Sequence, residues 1–194
     1  METVSVQKIA RVLRILICAA LICNLIILYL VPAAVLSDSH DLLGGVREYL
    51  AGVFFPSGDD IVAAGIDGSL LAWFWVWKDA YAMMLTLFLV VSGICTAVIL
   101  RQARRVLDSI LKGHPFCEEN AGALRRASLC GFVISGAALV RVVFSVCYYH
   151  SPLPLTSYNA LFVPIFAMFG LLCLVMSALF RQAAEMKAEN DLTI

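Results

Sequence analysis

Four long apolar runs, each about twenty residues, constrain the fold of this chain more than any other feature. They cover residues 15–36, 80–100, 127–149 and 160–180. A helix of twenty residues is ~30 Å long, which matches the hydrocarbon core of a bilayer. Lipid offers the backbone no hydrogen-bond partners, so each run is expected to cross the membrane as a helix. The sequence predicts an all-α integral membrane protein, a bundle of four transmembrane helices forming a single membrane domain over residues 1–194.

Basic residues fall almost entirely on one side of these four spans. If the spans alternate in direction, one side carries Lys8, Arg11, Arg14, Arg101, Arg104, Arg105, Lys112, Arg125, Arg126, Arg181 and Lys187, and the other carries Arg47 and Lys78. Basic residues stay in the cytoplasm, which predicts that both termini are inside (N-in, C-in). The connecting segments are then an outer segment (37–78), an inner loop (101–126) and an inner tail (181–194).

The first apolar run has two interpretations. Basic residues precede it and Ala33-Ala34-Val35 resembles a small-residue cleavage site, which would suit a signal peptide. Its apolar stretch is about 20 residues, however, and the core of a signal peptide is about 7–15. We therefore expect an uncleaved membrane anchor.

Composition argues against several classes of function. The chain is 62% hydrophobic and 14% charged, and its 14 basic and 14 acidic residues give a net charge of zero. No basic face is then expected for direct binding of nucleic acid. No catalytic or phosphate-binding motif occurs, and His40, His114 and His150 lie far apart in the sequence. We expect no enzymatic activity, no catalytic residues, no metal and no cofactor.

A few polar residues lie within or beside the spans. Arg141 is the one basic residue inside a span, and buried charge in a membrane is costly and often functional. Two roles remain open for it: structural pairing with Asp79 at the outer mouth of the second span, or a role in ligand binding or gating. Asn24 can form hydrogen bonds between helices. Close packing of a neighbouring helix is expected on the small-residue face of Ala127, Gly131 and Ser135.

The inner loop is predicted to be mostly helical. Residues 101–111 extend the second helix, Gly113 ends it, and Pro115 prevents its continuation. The third helix then opens with Cys117 at the position of a cap, followed by two acidic residues that suit a helix N-terminus.

The tail ends on apolar residues beside its own carboxylate. Since free termini usually fray, Leu192 and Ile194 are expected either to dock on the inner loop or to bind a partner. Docking would require the helix to stop near Asn190 and Asp191.

Two strings resemble the signatures of one family. Gly113-His114-Pro115-Phe116-Cys117-Glu118-Glu119-Asn120, with Leu124-Arg125, resembles the "G-x-P-F-x-x-x-N-x-x-x-L-R" signature of the DUF2975 family of bacterial membrane proteins. The ending Glu189-Asn190-Asp191-Leu192-Thr193-Ile194 is similar to that family's "E-N-D-L-T-I/V" ending. Cys117 departs from the more usual Thr or Ser.

The resemblance implies a multi-pass protein of the bacterial cytoplasmic (plasma) membrane with no assigned biochemical activity. It also suggests a membrane-bound partner or sensor for a small helix-turn-helix transcription regulator. The motif residues Pro115, Phe116, Asn120, Leu124 and 189–194 would form the binding surface. The alternative is a small transporter or channel subunit. Membrane lipid is the other expected partner, and a homo-oligomer is left open.

The charge asymmetry makes a direct prediction of topology. In a cysteine-free background, a cysteine placed at Ser57 should react with a membrane-impermeant thiol reagent on intact cells. A cysteine placed at Thr193 should react only after the membrane is opened. The reverse pattern of labelling would contradict the N-in, C-in arrangement.

Overall fold

The computed structural model describes residues 2–37, 73, 76–78, 80–113 and 117–191. Within them the chain forms four long helices: α1 (Glu2–Ser37), α2 (Ala80–Leu111), α3 (Glu118–Tyr149) and α4 (Tyr158–Asp191). Short 3₁₀ helices, Val76–Lys78 and Leu153–Thr156, precede α2 and α4. All four long helices are long and apolar enough to cross a membrane. This confirms the predicted all-α, four-span class, while the N-in, C-in orientation stays a prediction.

Each helix extends past its predicted span at one end by nine to thirteen residues. These are the ends that carry the basic residues, which we call the inner ends; the opposite ends are the outer ends. The extensions add ~15 Å of helix beyond the apolar run. Apolar runs mark where a helix meets lipid, whereas the helix itself continues through Arg, Gln and Ala, which favour helical backbone.

The turn between α2 and α3 has the predicted signals. Gly113 has a positive φ of 81°, and its N–H donates to the carbonyl of Ile110 at 3.1 Å, which closes α2. Cys117 has extended backbone (φ −133°, ψ 152°) at the N-cap of α3. Its thiol forms no capping hydrogen bond. Glu118 and Glu119 occupy the first turn, where negative charge favours the helix N-terminus.

The four helices are arranged as an open row. α1 packs on α2, α2 on α3, and α3 on α4, and no other pair of the four approaches closely over the described residues. Neighbours are antiparallel: the outer end of α1 packs through Val31 and Val35 against Ala82 and Leu85 at the outer end of α2. The two edge helices therefore expose much of their apolar surface, as is expected where lipid surrounds a protein.

The α3–α4 interface is the most extensive of the three in the row. Three side-chain hydrogen bonds cross it, each from a serine hydroxyl to a backbone carbonyl: Ser177 to Ala121 (2.7 Å), Ser128 to Gly170 (2.7 Å) and Ser135 to Val163 (2.8 Å). The partners recur every seven residues on both helices, the repeat of left-handed helix packing. Ala127, Gly131 and Ser135 are all buried, which confirms the predicted small-residue face.

Gly131 provides a test of this close packing. A Cβ there would lie 3.0 Å from the Phe169 ring and 3.3 Å from the backbone of Gly170, whereas a Cβ at Gly136 on the same helix would meet nothing within 4 Å. Gly131→Leu should separate the helices and destabilise the protein by about 1–3 kcal/mol, and Gly136→Leu should not. Unfolding in a denaturing detergent, followed by circular dichroism, measures both. Equal effects of the two substitutions would contradict the assigned interface.

Candidate functional site

Three polar contacts join all four helices at their inner ends. Nε of Arg14 on α1 lies 3.0 Å from Oδ1 of Asp108 on α2. The next residue on α2, Ser109, accepts a hydrogen bond from the side-chain amide of Asn120 on α3. Beside Asn120, the carbonyl of Ala121 accepts the Ser177 hydroxyl of α4. We call this set (Arg14, Asp108, Ser109, Asn120, Ala121 and Ser177) the inner polar chain.

The contacts within the inner polar chain differ in their expected contribution to stability. Arg14 and Asp108 are 43% and 33% exposed, and the contact between them is an ion pair without well-aligned hydrogen bonding, so ~0–1 kcal/mol is expected from it. Asn120 is buried, at 3% exposure. A buried amide that loses its partner costs ~1–3 kcal/mol. The Ser109–Asn120 contact is therefore expected to contribute more to stability than the Arg14–Asp108 ion pair does.

A cleft of about 830 Å³ opens beside the inner polar chain, between the last turns of α2 and the first turns of α3. Opposite charges share its walls: Arg105, Lys112 and Arg126 are basic, and Asp108, Glu118 and Glu119 are acidic. We call it the inner cleft. A wide cleft with balanced charge suits a polar protein surface better than a compact charged ligand.

A second, smaller cleft lies next to it. This space of about 370 Å³ is lined by Cys117 and Glu118 of α3 and by Arg181, Lys187 and neighbouring residues of α4. Cys117 and Glu118 line both clefts, so the two adjoin at the N-terminus of α3. The inner ends of α2, α3 and α4 therefore share one surface.

The signature residues are only partly described by the structure. Asn120 is buried within the inner polar chain, and Leu124 is half-buried on α3. Pro115 and Phe116 lie outside the described residues. Asn120 thus has a structural role, since it connects α3 to α2 through its hydrogen bond to Ser109.

The tail continues α4 as a helix. Glu189 and Asn190 are exposed within it, and the helix reaches Asp191, the last residue that is described. Leu192, Thr193 and Ile194 lie outside the described residues, so the docking of the tail on the inner loop stays a prediction.

Arg141 lies among aromatic side chains near the outer ends of α2 and α3. Its Cζ atom is 4.8 Å from the centroid of the Phe88 ring, a cation–π geometry, and its side chain also interacts with Tyr81. Asp79, its predicted partner, lies outside the described residues, so that pairing stays a prediction. No described carboxylate forms an ion pair with Arg141.

Asn24 is half-buried in α1, and its Oδ1 atom has no hydrogen-bond partner among the described residues. The predicted bond between helices is therefore not made by this oxygen. Within the described part of the chain, no group of three or more His, Cys, Asp or Glu side chains is placed to hold a metal ion.

Sequence reasoning did not identify Asp108, Ser109, Ser177, Tyr81 or Phe88 as contact residues. Each is an ordinary residue type for its position, and its role depends on which residue of a neighbouring helix lies opposite. That register is not visible in one sequence. The only available signal was Asp108, an acidic residue in an otherwise basic helix extension.

The Ser109–Asn120 contact can be tested by a double-mutant cycle. Ser109→Ala and Asn120→Ala should each destabilise the protein by about 1–2 kcal/mol, and the double mutant should cost less than the sum because both remove the same hydrogen bond. Gln182→Ala, at an exposed side-chain amide on α4 that lines none of the clefts, is the control. Strict additivity in detergent unfolding would show that the two side chains act independently.

Comparison with known proteins places these features in a family. The model of the family described as "Protein of unknown function (DUF2975)" matches residues 71–194, which is more than half of the chain and includes α2, α3 and α4 with both clefts. No curated protein and no solved structure matches the chain. The sequence resemblance is thereby confirmed, and the chain belongs to the DUF2975 family.

Proposed function

We propose that this chain is a non-enzymatic, multi-pass protein of the bacterial cytoplasmic membrane that binds a protein partner at its inner face. The binding surface is the inner cleft together with the inner end of α4. The partner is a small helix-turn-helix transcription regulator. The tail residues 189–194 contribute to the same surface.

The observation that carries this proposal is the joined set of inner helix ends. Three helices extend ~15 Å beyond their apolar runs, and the inner polar chain connects them to one another and to α1. Because these contacts hold the helix ends in place before binding, a partner would not have to supply the free energy of ordering them. The alternating charges of the inner cleft then favour a partner of complementary pattern.

The identity of the partner rests on the family resemblance, because its members resemble partners of small helix-turn-helix regulators encoded beside them. The charge of this chain is consistent with an indirect role in transcription. Its net charge is zero, so it offers little attraction for DNA itself. A regulator held at the membrane would be withdrawn from its operator, and release from the inner cleft would restore DNA binding.

The alternative, a transporter or channel subunit, fits the packing less well. A path across the membrane must be enclosed by protein, and an open row of four helices encloses none by itself over the described residues. A transport role would need a second copy or another subunit to complete the wall.

Site-specific photo-crosslinking in native membranes tests the proposal. A photoreactive amino acid at Glu119, which is exposed and lines the inner cleft, should yield an adduct with a helix-turn-helix protein, identified by mass spectrometry. The same amino acid at Leu155, exposed in the outer turn, should not. No adduct at position 119, or the same adduct at both positions, would contradict the proposal.

Two neighbouring arginines give a matched control. Arg126 lines the inner cleft, whereas Arg125 is exposed on the same helix and does not line it. Arg126→Glu should lower the yield of the adduct at position 119 about ten-fold. The new glutamate would repel the acidic group of the partner that Arg126 attracts in the wild-type protein. Arg125→Glu should leave the yield unchanged.

A further inference from the structure

We propose that a cavity near the outer ends of α2, α3 and α4 binds the phosphodiester headgroup of a membrane lipid, with Arg141 as the anion-binding residue. This site is at the opposite end of the helices from the inner cleft. It is therefore independent of the protein-binding function proposed above.

The cavity has a volume of about 170 Å³ and lies between the outer parts of α2 and α3 and the turn that leads into α4. Six of its eight lining residues carry a polar group on the side chain, namely Arg141, Ser145, Ser157, Asn159 and the two tyrosines Tyr81 and Tyr149, and the other two are Val142 and Pro154. A phosphate group surrounded by guanidinium, hydroxyl and amide donors is a common arrangement in proteins. The volume accommodates a phosphodiester with part of its glycerol.

The guanidinium of Arg141 supplies the charge. Its Cζ atom lies over the Phe88 ring and its side chain also interacts with Tyr81, and a guanidinium has five N–H donors, so further donors remain for an anion in the cavity. No described carboxylate pairs with it. A half-buried guanidinium inside a membrane protein is costly without an anion, and a phosphodiester supplies one through two parallel hydrogen bonds.

The position of Arg141 along α3 favours a lipid headgroup over a free anion as the ligand. Arg141 precedes Tyr149, the end of α3, by eight residues, which places its backbone ~12 Å from the outer end of the helix. An arginine can extend from that depth toward the headgroup region. Tyrosines surround the mouth: the Tyr81 ring lies 5.7 Å from Tyr148 and 5.6 Å from Tyr149, as in the aromatic belt at a membrane interface.

Three residues that neighbour the cavity lining in the chain, which we call its rim, have exposed and largely apolar side chains. Leu153, Leu155 and Tyr158 are 73%, 57% and 87% exposed beside Pro154 and Ser157 of the lining. A site with phosphate donors inside and exposed apolar side chains at the edge matches an amphiphile. Inorganic phosphate would gain nothing from that rim.

Thermal unfolding of the delipidated, full-length protein in a neutral detergent tests the site with three probes: short-chain phosphatidylglycerol, inorganic phosphate and short-chain diacylglycerol. A ligand that binds the folded state raises the Tm in proportion to its occupancy. Phosphatidylglycerol should raise the Tm in a saturable manner, and the other two should not. An equal rise with phosphate would contradict lipid as the source of the anion, and an equal rise with diacylglycerol would contradict the role of the phosphate.

Substitutions of Arg141, with controls at other positions, complete the test. Arg141→Gln should abolish the Tm rise, and Arg141→Lys, which keeps the charge without the planar fork, should weaken binding about ten-fold. Arg125→Gln, on the inner end of the same helix, should bind like the wild type. If Arg141→Gln does not fold, Arg141→Lys and Tyr81→Phe decide the question, and unchanged binding in both would overturn the proposal.

Asp79→Asn separates this proposal from an Arg141–Asp79 ion pair. If the lipid is the anion that Arg141 meets, Asp79→Asn should alter its affinity by less than about two-fold. Markedly tighter binding by Asp79→Asn would show that Asp79 already neutralises Arg141 and would contradict the proposal.

Discussion

The absence of hydrogen-bond partners in the hydrocarbon core is the constraint on which the rest of this structure depends. It requires each apolar run to satisfy its own backbone, so all four become helices. It also removes the usual reason for helices to associate, because lipid is as apolar as a leucine side chain. Association then depends on close approach and on polar contacts. Glycine and serine on α3 and α4 supply both, since Gly131 faces the backbone of Gly170 and Ser128 donates to the carbonyl of the same residue.

Apart from the Ser128 and Ser135 hydrogen bonds along the α3–α4 interface, the polar contacts described between helices lie at two levels. At the inner ends, the Arg14–Asp108, Asn120–Ser109 and Ser177–Ala121 contacts each join one neighbouring pair of helices, so the row is fastened across its whole width. Near the outer ends, Arg141, Phe88 and the tyrosines connect α2 to α3. The functional proposals follow this division. The inner level holds an ordered surface for a protein, and the outer level holds a charged cavity for a lipid headgroup.

The sequence predicted what depends on local pattern. The length of the apolar runs predicted the four helices. Gly113 predicted the end of α2, and the Glu118-Glu119 pair predicted the start of α3. The sequence also predicted the extension of α2 over residues 101–111 and the start of α3 after Cys117, although the apolar runs alone are shorter than the helices because hydropathy reports contact with lipid and not the extent of helical backbone. It did not predict the open row, nor that Asn120 would meet Ser109, because both depend on which faces of distant helices pack together. The small-residue face on α3 was the exception, since its spacing alone shows where a neighbour can approach closely.

The central claim is that the inner helix extensions form one ordered surface, fastened by the inner polar chain. Hydrogen–deuterium exchange of the full-length protein in lipid nanodiscs tests it most directly, because backbone amides exchange slowly only where their hydrogen bonds persist. Slow exchange is expected over residues 101–111 and 118–126, comparable to that of the spans. Asn120→Ala should speed exchange there while leaving residues 140–149 unchanged. Fast exchange of both inner stretches in the wild-type protein would show that they do not form an ordered surface.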